Sequence, residues 1–151
     1  MTQSYEDILS RSWNEIPEDK LLPPGGWRLK CRGASFRKGK GEQNDSIMFV
    51  YEAIEPMDDV DDDALAELGP DYDYKQNRIF HRFWLESSGD LNTVRRHVEK
   101  HGVDTEELSI GESLKAVKGK TIVGILGQRS FQRKDGTVGE ENIIQSFEPD
   151  E

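Results

Sequence analysis

Five short segments that read as strands, with one segment of helical spacing between the third and the fourth, most constrain what this chain can fold into. Trp27 to Phe36 sets Trp27, Leu29 and Cys31 against Arg28, Lys30 and Arg32. Gly33 interrupts the pattern where a long strand must bend or bulge to serve two sheets. Ile47 to Ile54 is apolar on both faces except at Glu52, and Phe49 and Tyr51 are expected to be its core side. Asn77 to Glu86, NRIFHRFWLE, divides into Ile79, His81, Phe83 and Leu85 on one face and Arg78, Phe80, Arg82 and Trp84 on the other. In Asp90 to His101, Leu91, Val94 and Val98 recur at helical spacing, and Gly102 follows as a C-cap. Ile110 to Lys118 reads as a short helical or irregular approach. Thr121 to Phe131 and Asn142 to Phe147 form the last two strands around the turn KDGT.

Three strands, a helix and two strands is the plan of an OB-fold, the five-stranded Greek-key barrel. The expected fold is therefore mainly β, with one such barrel over residues 26–148, an acidic loop at 55–75 and a short acidic end at 149–151. Residues 1–25 read as a helix over Ser4 to Ser12, where Ser4 and Asp7 make an acidic variant of the capping box, followed by a proline-rich lead-in. A chain of 151 residues suits one core of modest size, given that a third of its residues are charged.

The net charge of −10 is unevenly distributed. Residues 26–54 and 74–103 each carry six basic and three acidic groups, whereas residues 55–73 carry nine acids and no base. Basic strands joined by acidic connections can bind a polyanion locally and release it as salt rises. No apolar run approaches the length of a membrane span, and the polar N-terminus is unlike a signal peptide, so no membrane partner and a cytoplasmic location are expected. A single cysteine, Cys31, excludes an internal disulfide and a cysteine-rich zinc site and is expected to be a small core residue.

The alternation of cation and ring along Arg78, Phe80, Arg82 and Trp84 suits single-stranded nucleic acid, whose backbone is a line of charge and whose bases all offer a π-face. A structural sheet of arginines stacked on aromatics has the same pattern. Further candidates for phosphate contact are Arg28, Lys30 and Arg32 on the first strand, Arg37, Lys38 and Lys40 in the turn RKGKGEQND, and Arg129 and Arg133 in the last hairpin. Each of these has a plain alternative as a solubilising surface.

Other motifs fall short of catalysis. The stretch MDDVDDDALAELG lacks the register of a calcium loop and reads as a solvated loop or short acidic helix, with a shield over the basic groove as its functional alternative. His97 and His101 lie four apart, but Glu99 is one position away from the place a zinc-protease base takes, no third ligand is evident, and the helix C-terminus favours charged histidines in any case. Gly33 to Gly39 is one residue too long for a phosphate loop, and Gly41 follows Lys40 where serine or threonine is required. No metal, cofactor or enzymatic activity is expected.

The blocks SRSWNEIPEDKLLPPGGWRLKCRGASF, MFVYEAIEPMDDVDDDALAELG and SLKAVKGKTIVGILGQRSFQRKDGTVGEEN resemble a family of bacteriophage single-stranded DNA-binding proteins with an OB-fold. The resemblance covers nearly the whole chain. It implies coating and protection of single-stranded DNA during phage replication or recombination, without catalysis, in the cytoplasm of the infected bacterium. It also implies contacts with a phage or host polymerase, helicase or recombinase through an acidic tail. Here the end is only Glu148, Pro149, Asp150 and Glu151, and Asp58 to Asp63 is the alternative recruiting segment. Oligomeric state stays open, a dimer included. The alternative function is an acidic protein-interaction module, such as a DNA mimic that inhibits a host enzyme.

Overall fold

A computed structural model describes residues 9–10 and 20–150. The helix expected over Ser4 to Ser12 lies outside them, apart from Leu9 and Ser10, which are helical. Among the described residues, five strands form one antiparallel sheet: β1 (Gly25–Arg37), β2 (Ser46–Pro56), β3 (Arg78–Trp84), β4 (Thr121–Gln132) and β5 (Val138–Pro149). Their order is β3-β2-β1-β4-β5. Three helices join them: α1 (Asp62–Leu68), α2 (Ser88–Lys100) and α3 (Ile110–Ala116). None of the described helices is long and apolar enough to cross a membrane.

Strand β1 holds the sheet together because it pairs with β2 along most of its length and with β4 over Gly25 to Lys30. Two irregularities let so long a strand coil. The register passes from Cys31↔Tyr51 to Gly33↔Val50, leaving Arg32 as the extra residue, and Ile54 is the extra residue on β2 between Arg28↔Glu55 and Leu29↔Ala53. The expected interruption at Gly33 is thus a bulge. Gly124 of β4 permits the close approach on the inner face, since a Cβ there would stand 2.6 Å from Leu29 Cδ1.

Alternation sorts the side chains as expected. Trp27, Leu29, Cys31, Phe49, Tyr51 and Ala53 are fully buried, and Ile79 joins them from β3. Large apolar side chains buried to this extent contribute roughly 1.5–3 kcal/mol each by leaving water. Helix α2 lays Val94, His97 and Val98 on this core, while Leu91, placed with them by its spacing, stays on the surface. Asp90 accepts the backbone N–H of Ser87 at 2.9 Å at the start of α2, and Gly102, at φ 85°, follows its end. Helix α3 begins with a reciprocal capping box, in which Ser109 Oγ accepts from Glu112 N–H and Glu112 Oε1 from Ser109 N–H, both at 3.1 Å.

The β4–β5 hairpin is longer than the alternating residues indicated. It extends β5 from the expected Asn142–Phe147 to Val138–Pro149, around the KDGT turn, where Gly136 has φ 88°. The acidic end is not wholly a tail, because Asp150 accepts from Thr121 Oγ1 at 2.7 Å and from Arg28 Nε at 3.1 Å.

Strands β3 and β5 are the sheet's edges and meet through side chains, with the His81 and Phe147 rings 4.9 Å apart. A strap without regular structure, residues 20–24, fills one end of the gap. Leu22 is fully buried there. Its N–H donates to Asn142 Oδ1 at 2.9 Å, and its carbonyl accepts from Asn142 Nδ2 at 2.9 Å and from Gln128 Nε2 at 3.1 Å. Asn77, just before β3, donates to the Lys20 carbonyl at 2.7 Å. The strap therefore joins both edges through side-chain amides and supplies partners for backbone groups no strand pairs.

Candidate nucleic-acid interface

Beyond the strap, the gap between the edges remains an open cleft of about 770 Å³. One wall is the outward face of β3. Arg78 and Arg82 are exposed there, Phe80 is 58% exposed and Trp84 43%. The opposite wall is the β4–β5 hairpin, with Arg129, Glu140 and Glu141, and the floor includes His81, Ile143 and Ile144. The rings of β3 stay in water because the other parity, Ile79, His81 and Phe83, takes the inward positions. Arg82 Cζ lies 4.9 Å over the Trp84 ring, so one face of the indole already carries a cation.

The face continues from the cleft across the sheet. Arg82 is opposite Met48, Phe80 is opposite Val50 and Gly33, and Trp84 is opposite Ser46 and Arg37. A shallow depression over Val50 brings Arg32 and Arg78 to one patch, although Arg32 also pairs at 3.5 Å with Glu52, which is buried. Lys38 and Lys40 are exposed in the turn beside this face.

Other expected phosphate contacts are placed differently. Arg28 lies at the far half of β1, outside the cleft, and its guanidinium pairs with both Glu55 and Asp150. Lys30 is exposed but also outside the cleft, opposite Glu52 and Thr121. Arg129 lines the cleft and is paired with Glu141. Arg133 serves the hairpin tip, donating to the Val138 carbonyl at 3.2 Å and lying 5.4 Å over the Phe131 ring. None of the acids at Asp58 to Asp63 lines the cleft. Asp61 instead caps α1, and Asp59 Oδ1 accepts from Gly26 N–H at 3.0 Å.

No protein-family model matches the chain, and no curated protein does.

Beneath the floor lies a cluster that sequence spacing did not disclose. Tyr51 Oη is 2.7 Å from His97 Nε2 and 2.9 Å from His101 Nε2, while His101 Nδ1 is 2.8 Å from the His97 carbonyl. The carbonyl only accepts, so His101 carries its proton on Nδ1 and its Nε2 accepts the tyrosine O–H. Tyr51 Oη then accepts from His97 Nε2–H. Phe49, Phe83 and Phe147 surround His97 with ring centroids at 4.6, 4.9 and 4.2 Å.

Burial pushes His97 down to about 2 and also lowers His101 and His81, while it raises the Tyr51 hydroxyl and lifts Cys31 to about 11. A helix C-terminus favours charged histidines. Burial overrides the dipole, and they are neutral hydrogen-bonding members of the core. Alternation pointed His81 inward, but the Tyr51 network joins residues 46 and 50 positions apart, which local spacing cannot reveal.

Proposed function

We propose that this chain is an OB-type barrel that binds single-stranded DNA in the cleft between β3 and the β4–β5 hairpin, without catalysis and with little sequence preference. The observation that carries the reading is the β3 wall, where two exposed arginines alternate with two exposed rings along an open cleft. The sheet order, the coiled and shared β1 and the helix between β3 and β4 support the barrel. Phe80 and Trp84 stack bases. Arg78 and Arg82, which have no acidic partner among the described residues, meet phosphates, with Arg32, Arg37, Lys38 and Lys40 extending the track over the sheet. The resemblance to phage proteins adds the setting: coating of single strands during replication or recombination inside an infected bacterium.

Arg78→Ala combined with Arg82→Ala tests the phosphate contacts. Each contact with a single strand contributes roughly 0.7 to the slope of log K against log salt, so the pair is expected to flatten that slope by about 1.4. A lower affinity with an unchanged slope would remove these arginines from the phosphate path.

A further inference from the structure

The wall facing β3 has the opposite chemistry. Glu141 is neutralised by Arg129, but Glu140, paired with Ser130 through the strand ladder, is exposed and its carboxylate has no ion-pair or hydrogen-bond partner among the described residues. By strand alternation it shares the face of Asn142 and Ile144, and all three line the cleft. A bare carboxylate beside a line of phosphates costs affinity, so its place in the cleft makes sense when it meets bases instead. With Phe80 and Trp84 on one wall and Glu140 on the other, a base stacked on either ring has a carboxylate across the cleft from it. A carboxylate only accepts, and it selects edges that present N–H groups.

We propose that Glu140 makes the cleft discriminate among bases, favouring guanine, whose N1–H and N2–H are two adjacent donors matching one carboxylate. Thymine offers a single N3–H between two carbonyls that repel the carboxylate. This inference rests on the single-strand reading and gives it a modest base preference.

Two oligothymidine strands test it, one carrying isolated guanines and the other carrying hypoxanthine at the same positions, since hypoxanthine differs from guanine only by the missing 2-amino group. The native protein is expected to bind the guanine strand about five-fold more tightly. In Glu140→Ala the ratio is expected to fall to about one, while affinity for the hypoxanthine strand is kept or improved as the repulsion goes. Equal binding of the two strands by the native protein, or a ratio that survives in Glu140→Ala, would overturn the base reading and leave single-strand binding standing. Failure to bind either strand would overturn both.

Discussion

The protein carrying both Phe80→Ala and Trp84→Ala is expected to bind oligo-dT about 2–6 kcal/mol more weakly than the native chain, because each stacked base contributes roughly 1–3 kcal/mol. The size of the effect follows from where the rings stand. Both are substantially exposed on β3, so their loss removes stacking surface without opening a cavity in the core. The contact between Arg82 and Trp84 is exposed and contributes only about 0.5–1 kcal/mol to folding. The urea midpoint should therefore stay close to the native value while fluorescence anisotropy records the lost affinity. Phe49, opposite His81 and fully buried, is the contrast. Alanine there is expected to cost about 3–5 kcal/mol of stability through the cavity it leaves. Native oligo-dT binding by the doubly substituted protein would show that the rings have no part in recognition.

Acid is expected to weaken the fold through the histidine cluster. A histidine whose folded value is depressed binds its proton more readily when unfolded, so its contribution is fully present above the unfolded value near 6.5 and is lost as pH falls below it. With His97 held down to about 2, the loss at pH 4.5 comes to roughly 3 kcal/mol from this residue alone. His101 and His81 act in the same direction. His97→Gln keeps an N–H donor for Tyr51 and does not titrate. Urea unfolding between pH 7.5 and 4.5 should show a loss smaller by about that amount in the variant. Identical losses in the two proteins would mean that His97 is not the buried neutral group described.

What the sequence made legible was whatever local periodicity controls. The two faces of β3, the break near Gly33, the burial of Phe49, Tyr51 and Cys31, and the axis of α2 each follow from spacing within one element. What stayed hidden depended on residues far apart in the chain. Arg28 has the same alternation as Arg32, yet Asp150, 122 positions away, claims its guanidinium. Leu22 sits in a stretch of prolines that reads as a mere lead-in, and only the positions of Asn142 and Gln128 make it a core residue. Glu140 lies ahead of the expected start of β5 at Asn142, and only the longer strand gives it the parity of Asn142 and Ile144.

Titration of fluorescently labelled oligo-dT and of a duplex of the same length, by anisotropy, across about 50–200 mM salt separates single-strand binding from mimicry. A cleft that holds one strand between Arg78–Trp84 and Glu140 predicts tighter binding of oligo-dT than of duplex at every salt concentration, with log affinity falling linearly in log salt. No affinity for oligo-dT at the lowest salt, together with tight binding to a host DNA-processing enzyme, would contradict it and identify the acidic chain as a DNA mimic.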